Sequence, residues 1–285
     1  MKTAIATDSN SGISPAKAEK YGIHVLPMPF YVNDELYFEN QTISHEEFYT
    51  RQRDGAKIYS SQPSPADVME FWDRLLEEYD EVLYIPMSSG LSGSCATAQA
   101  MAQDYDGKVL VADLGRVSVT QKQAVLEAQK QARAGVNAAE ILKSLVYAKN
   151  ECQIFLTVDD LKYLKQGGRI SASSAAIGTL LNIKPILSLE DAKVEAVGKV
   201  RGDKLARKKI MQCLDETLVN KFHADNMDDF YLAAAGSMSE ENARQWKTQL
   251  EEHFGVKCSM SPIPLSLGCH LGYGIYGAAL IRKMH

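Results

Sequence analysis

The stretch Asp80–Ser94 limits the possible folds most strongly, because it joins an apolar strand pattern to a helix through a loop of serines and glycines. Val82–Ile85 is a short apolar run between acidic residues and a proline, which is typical of a buried parallel strand. The loop Ser88–Ser94 has four serines and two glycines, and helical composition begins at Cys95. A helix start collects N–H groups and hydroxyls around one point, which suits an anion. An ordinary turn with serine as the helix cap is the alternative.

The first half of the chain alternates between strand and helix patterns around this loop. Strands are predicted over Thr3–Thr7 and Gly107–Asp113, and helices begin at Ser14, Ser64, Gln121 and Asn137. Between them, residues 31–58 look irregular apart from one short helix over Ser44–Arg53. Repeated alternation favours right-handed parallel crossovers. We therefore predict an α/β protein whose first domain, residues 1–150, is a three-layer α/β/α unit with a parallel sheet.

The second half of the chain has a different order of strand and helix patterns. Lys184–Leu189 and Lys193–Val200 are strand patterns joined by a short acidic turn, which predicts an antiparallel hairpin. A helix of small residues is predicted after Gly167–Ser171 and ends near Asn182, and the glycine-rich segment Gly268–Gly277 leads into a last strand. We predict a second three-layer α/β/α domain, residues 151–285, with a mixed sheet.

Composition excludes several classes of protein. The net charge of −5 argues against nucleic-acid binding, which requires a basic excess. Five widely spaced cysteines form no Cys-x-x-Cys pair, so we expect reduced thiols in a cytoplasmic protein and no metal cluster. Asp8 interrupts any signal-peptide core, and no apolar run is long enough to span a membrane, although transient contact with a membrane surface stays compatible with the sequence.

Several enzyme hypotheses stay open at this stage. The sequence has no Gly-x-Ser-x-Gly elbow, no His-Glu-x-x-His and no phosphate-binding loop ending in Gly-Lys-Ser/Thr. The loop Ser88–Gly93 could supply a nucleophilic serine with His270 as its base, but nothing in the sequence shows that they meet. Asp8 and Asp113, both at strand ends, could bind Mg²⁺ or simply cap turns.

Seven motifs in order along the chain carry a resemblance to a known family. They are Asp8–Ser9, Ser60–Ser64, Ser88–Ser94, Leu161–Ser171, Leu181–Leu187, Val200–Gly202 and Gly268–Gly272. In this combination the chain resembles the DegV family of fatty-acid-binding proteins, which includes the FakB-type binding subunits of bacterial fatty acid kinase. Two positions depart from the family pattern. Ser60 stands where many members have threonine, and Leu114–Ser118 replaces a serine-rich turn.

The resemblance implies that one long-chain fatty acid, of the palmitate, stearate or oleate class, lies between the two domains without any cofactor. It implies that Ser60, Ser92 and the backbone of Gly93 bind the carboxylate, with Arg169 and His270 nearby. Arg201 would dock a partner kinase, which supplies ATP and forms an acyl phosphate for phospholipid synthesis. Candidates for lining the tunnel are Ala172, Ile177, Leu180, Leu181 and Ile183, and each of them could equally belong to the core.

The function predicted is therefore a lipid-binding carrier subunit without catalytic turnover of its own. The alternative is a self-sufficient enzyme on the same fold, either a Ser/His acyl hydrolase or a small-molecule kinase with a metal at Asp8 and Asp113.

Overall fold

The structure is a computed structural model, and it describes residues 2–170, 182–190 and 193–284. The elements of the first half are β1 (Thr3–Asp8), α1 (Pro15–Tyr21), β2 (His24–Leu26), β3 (Pro29–Val32), β4 (Glu35–Phe38), α2 (His45–Arg53), β5 (Ile58–Ser60), α3 (Pro65–Leu76), β6 (Glu81–Ile85), α4 (Ser94–Ala102), β7 (Val109–Val111), α5 (Ser118–Arg133) and α6 (Ala138–Tyr147). Those described in the second half are β8 (Cys152–Thr157), α7 (Lys162–Gln166), β9 (Ile183–Glu190), β10 (Lys193–Arg201), α8 (Asp203–Asn220), β11 (Phe230–Gly236), α9 (Glu240–Phe254), β12 (Cys258–Pro262), α10 (Leu265–Leu271) and β13 (Tyr276–Arg282).

The N-terminal sheet is parallel and has the strand order β2-β1-β6-β7. Its two inner strands, β1 and β6, are buried along their whole length, because helices cover both faces. On one face, Ile5 and Leu83 pack against α1, α5 and α6. On the other, Val82 and Tyr84 pack with α3 and α4 around Trp72. The predicted parallel α/β arrangement of the first half is confirmed.

Helix α3, which precedes β6, begins where the sequence predicts. The Ser64 hydroxyl accepts the N–H of Asp67, and the Asp67 carboxylate accepts the N–H of Ser64, which forms a capping box. Pro65 occupies the first helical position, where a missing N–H costs nothing. Ser64 therefore has a structural role within the Ser60–Ser64 motif.

The prediction for residues 31–58 is wrong in one respect, because this segment contributes to a three-stranded antiparallel sheet with the order β4-β3-β5. Pro29 opens β3, a position where proline removes no essential ladder hydrogen bond. Asn33 and Asp34 both have positive φ, 51° and 68°, and form the two-residue turn between β3 and β4. The small sheet packs on α2 through Phe30.

The C-terminal sheet is mixed, as predicted, and has the order β10-β9-β8-β13-β11-β12. Its β11 and β12 are parallel and its other pairs antiparallel, including the predicted hairpin of β9 and β10. One face packs against α8 and α9 through Leu214 and Trp246. The other face is turned toward the N-terminal half. Val119 of α5, from that half, joins its apolar cluster together with Leu164 of α7.

The glycine-rich segment near the end of the chain is partly helical. Gly268 lies inside α10, and a Cβ at this position would be 2.8 Å from the Tyr49 hydroxyl oxygen. Gly268 therefore permits close packing of α10 on α2, and the helix ends at Gly272, which has a φ of 83°. The helix predicted after Ser171 lies outside the described residues, apart from its end near Asn182.

Candidate functional site

A cavity of about 240 Å³ lies between the carboxyl ends of the parallel strands and one face of the C-terminal sheet. Its floor is formed mostly by aliphatic side chains of that sheet and of α10. They include Ile154, Leu156, Leu189, Val194, Leu267 and Leu271. The cavity is therefore suited to an apolar body rather than to a hydrated metabolite.

The period-2 alternation of β8 explains the apolar floor. Ile154 and Leu156 point into the cavity, whereas Phe155 between them packs on the opposite face with α8. Both faces of this strand are covered, so it carries apolar residues on each side.

The mouth of the cavity is polar, and it brings together the five residues predicted to bind a carboxylate. Ser60 ends β5, Ser92 and Gly93 precede α4, Arg169 follows α7, and His270 lies in the last turn of α10. All five line the cavity. Four segments that are far apart in sequence thus meet at one point.

Ser60 and His270 are in direct contact, with 2.7 Å between Ser60 Oγ and His270 Nε2. The direction of this hydrogen bond depends on the imidazole tautomer. If Nε2 carries the proton, it donates to Ser60, and the serine hydroxyl is free to donate to a ligand oxygen.

Burial keeps the imidazole neutral at physiological pH. It lowers the pKa of His270 to about 4, and the positive charge of Arg169 acts in the same direction. Arg169 itself is exposed, donates from Nε to the carbonyl of Leu91 at 3.3 Å, and also bonds the carbonyl of Gly167. Gly167 lies against the His270 ring, where any Cβ would overlap Nδ1.

The start of α4 supplies further donors. Gly93 occupies the N-cap position, where a glycine has no side chain to accept the N–H groups at the start of this helix. Ser92 Oγ accepts the N–H of Ser94 at 3.2 Å and bonds Ser94 Oγ at 3.0 Å. Backbone N–H groups and the helix dipole together favour negative charge here.

The two aspartates considered as metal ligands are engaged elsewhere. Asp8 is fully buried and accepts hydrogen bonds from the N–H of Met87 and the amide of Gln121, yet burial raises the pKa of its carboxyl. Asp113 accepts from the hydroxyl of Ser89. Among the described residues no cluster of three or more histidines, cysteines or acids could hold a metal ion, and no helix is long and apolar enough to cross a bilayer.

The remaining predicted site residues lie elsewhere. Arg201 is exposed at the end of β10, where it pairs with Ile183 of β9. Neither residue lines the cavity. The other tunnel candidates, Ala172, Ile177, Leu180 and Leu181, lie outside the described residues.

Sequence reasoning missed several polar residues that line the cavity. Asn10 is fully buried, and its Oδ1 accepts the hydroxyl of Ser266 at 2.5 Å. Gln62 and Ser118 also reach the cavity. The position of Asn10 in the sequence could have indicated a role in the site. It lies two residues after the end of the parallel strand β1, and ligands of α/β sheets bind at such strand ends.

The fold and the cavity define an α/β protein with an apolar cavity that ends in a polar mouth. A protein-family model described as "Uncharacterised protein, DegV family" matches residues 2–283. A DegV domain-containing protein of Listeria innocua is 30% identical, and the match covers 97% of each chain. The chain therefore belongs to the DegV family.

Solved structures have the same fold. A DegV family protein from Thermus thermophilus, described as fatty acid binding, superposes with a TM-score of 0.89 at 28% identity, covering 99% of this chain and 100% of the other. DegV from Bacillus subtilis, described as a fatty acid binding protein, gives 0.86 at 28% identity with the same coverage.

Proposed function

We propose that this protein binds one long-chain fatty acid in the cavity between an N-terminal domain, residues 1–150, and a C-terminal domain, residues 151–285. The observation that carries the proposal is the division of one cavity into an aliphatic floor and a mouth with convergent donors. Ser60, Ser92, the N–H of Gly93 and His270 bind the carboxylate, and Arg169 adds positive charge.

The energetics agree with such a ligand. A C16 chain buries about fourteen methylenes at ~0.8 kcal/mol each, or on the order of 11 kcal/mol before the costs of association. A carboxylate at the end of an apolar cavity must be hydrogen-bonded, because an unpaired buried charge is very costly. The serine hydroxyls and the uncapped start of α4 supply these donors.

The relatives support the same class of ligand. The proteins from Thermus thermophilus and Bacillus subtilis are described as fatty acid binding, and each covers nearly the whole of this chain. We infer that a fatty acid of the palmitate, stearate or oleate class occupies the cavity without any cofactor.

We further propose that the bound carboxylate is presented to a separate fatty acid kinase, which forms an acyl phosphate for phospholipid synthesis. The exposed position of Arg169 at the mouth gives an incoming phosphoryl group a cation to contact. Arg201, exposed at the end of β10, provides a docking contact for the kinase.

A second candidate is a Ser/His acyl hydrolase, which the 2.7 Å contact of Ser60 and His270 favours. Two features weigh against it. Within the described part of the chain no carboxylate forms an ion pair or hydrogen bond with His270, and an imidazole with a pKa of about 4 is a weak base.

Native mass spectrometry followed by lipid extraction tests the carrier proposal. We expect a stoichiometric mass increment from a C16–C18 fatty acid, which the double variant Ser60→Ala/Ser92→Ala loses while it stays folded. Ser64→Ala is the matched control, because Ser64 lies in the same motif but caps α3. A wild-type protein that stays free of lipid after incubation with several fatty acids would sink the proposal.

The partner and the alternative need a separate assay. Labelled ATP and fatty acid are incubated with the protein in the presence or absence of a candidate kinase. Transfer that requires the kinase supports the carrier role, whereas transfer without it, or hydrolysis of an acyl ester that Ser60→Ala abolishes, supports an enzyme.

A further inference from the structure

A second cavity, of about 420 Å³, lies beside α1 and is separate from the first. It is lined by Ser9 and residues 12–14 of the turn after β1, the start of α1, residues 39–41 after β4, and the end of β12 at Met260–Pro262. The turn after β1 separates the two cavities, since Ser9 lines the second and Asn10 the first.

Two lysines meet at the edge of the second cavity. Lys122 of α5 is half-buried and donates from Nζ to Ser261 Oγ at 2.9 Å. Lys17 of α1 lines the cavity and lies close to Lys122. Burial, and then repulsion and hydrogen-bond competition from Lys17, lower the pKa of Lys122 to about 8.

The two ammonium groups lack a carboxylate partner among the residues that the structure describes. Within the described residues neither Lys17 nor Lys122 forms a salt bridge. Like charges in a concave, partly desolvated position repel each other, and an anion between them would remove that repulsion.

The other polar groups of the cavity are also able to donate. Ser14 precedes α1, yet its side chain makes no capping hydrogen bond, and the hydroxyl of Ser261 is free to donate while its oxygen accepts from Lys122. Glu39 is the acidic residue among the described residues that line this cavity. Its carboxylate oxygens already bond the His45 imidazole at 2.8 Å and the N–H of Leu265 at 2.9 Å.

We propose that this second cavity binds a small phosphate-bearing molecule, with its phosphate between Lys17 and Lys122 and hydrogen-bonded by Ser14 and Ser261. Two adjacent ammonium groups match a doubly charged anion better than a single carboxylate. The volume exceeds what inorganic phosphate needs, so the ligand carries an organic part that occupies the space toward Asn40 and Gln41.

Amide chemical-shift mapping tests this site at physiological ionic strength, where non-specific attraction is screened. The probes are glycerol 3-phosphate and inorganic phosphate. We expect saturable shifts confined to residues 9–18, 39–41 and 260–262, with tighter binding of glycerol 3-phosphate. Lys17→Met and Lys122→Met should each weaken binding about tenfold or more, because each removes one charge-assisted hydrogen bond.

Lys20→Met, on the same helix as Lys17 but outside the cavity, is the matched control and should bind like wild type. Lys122→Met should keep the fatty-acid mass increment, so failure of this site and failure of the lipid site are distinguishable. Absence of localised shifts with both probes, or equal weakening by Lys20→Met, would overturn the proposal. Should Lys122→Met not fold, the exposed Lys17 alone decides the outcome.

Discussion

The mouth and the floor of the first cavity, which is lined by Ser60 and Leu156, are built from different kinds of structure. Ser60, Ser92 and Arg169 lie on loops or at element ends, where backbone groups are unpaired and side chains converge. Much of the floor comes from paired strands, where the ladder satisfies the backbone and aliphatic side chains line the cavity. In the proposed complex, recognition of the head group therefore depends on a few atoms, whereas binding of the acyl chain is spread over many.

The largest effect is expected from placing a charge on the floor. Leu156→Glu would put an unpaired carboxylate beside the acyl chain, and we expect fatty-acid affinity to fall about a hundredfold or more. Leu156→Met, which roughly conserves volume, should change affinity only slightly. Titration with a fluorescent fatty acid measures both variants, and an unchanged affinity for Leu156→Glu would show that Leu156 does not contact the ligand.

His270, at the mouth of the cavity, should make the unfolding free energy of the protein depend on pH. The folded-state pKa of His270, about 4, lies below its ordinary value of about 6.5, so the unfolded chain binds the proton more readily. Stability is therefore lost as the pH falls from about 6.5 toward 4, by ~2 kcal/mol between pH 7 and pH 5.

Urea unfolding at these two pH values measures this loss. His270→Asn should lose about 2 kcal/mol less than wild type over the same interval, while the floor variant Leu156→Met keeps the full loss. Identical pH profiles for wild type and His270→Asn would contradict the burial of an imidazole that stays neutral.

Adding a single methyl group beside His270 should test whether the position of its ring matters for ligand binding. Gly167→Ala pushes against the His270 ring, and we expect about tenfold weaker fatty-acid binding because the imidazole moves away from Ser60. Gly198→Ala, in β10 with open space around its Cβ, is the control. Calorimetry compares the two variants, and equal affinities would mean that the ring position is unimportant.

The smallest effect should be purely structural. Ser64→Ala removes the cap of α3, and unfolding free energy should fall by about 1 kcal/mol without a change in ligand affinity. Chemical denaturation and the same fluorescent titration measure the two quantities. Weaker lipid binding by Ser64→Ala would extend the mouth beyond Ser60 in that motif.

Local sequence signals predicted those elements whose ends carry capping or turn residues. The capping box at Ser64 and the hairpin of β9 and β10 both appear where expected. The small antiparallel sheet was missed because its strands β3, β4 and β5 are only 4, 4 and 3 residues long, although Asn33-Asp34 is a turn signal for a two-residue hairpin. In α10, the glycines concealed a helix whose close packing on Tyr49 is visible only in three dimensions.

The site was predictable in its residue types but not in its contacts. Family motifs pointed to Ser60 and His270, and only the fold shows that they touch across 210 positions of sequence. Asn10 and Ser266 were missed because their pairing depends on how α10 lies against the end of β1. The low pKa of His270 follows from burial, which no local pattern encodes.

The position of β13 has a consequence for biosynthesis. This last strand lies in the interior of the C-terminal sheet, between β8 and β11, and it carries Gly277 of the cavity wall. During synthesis, β8 and β11 therefore lack their shared neighbour until residues 276–282 have been added to the chain. A nascent chain halted before residue 276 would present an unfilled sheet, so we expect lipid capture to begin only after β13 has emerged from the ribosome.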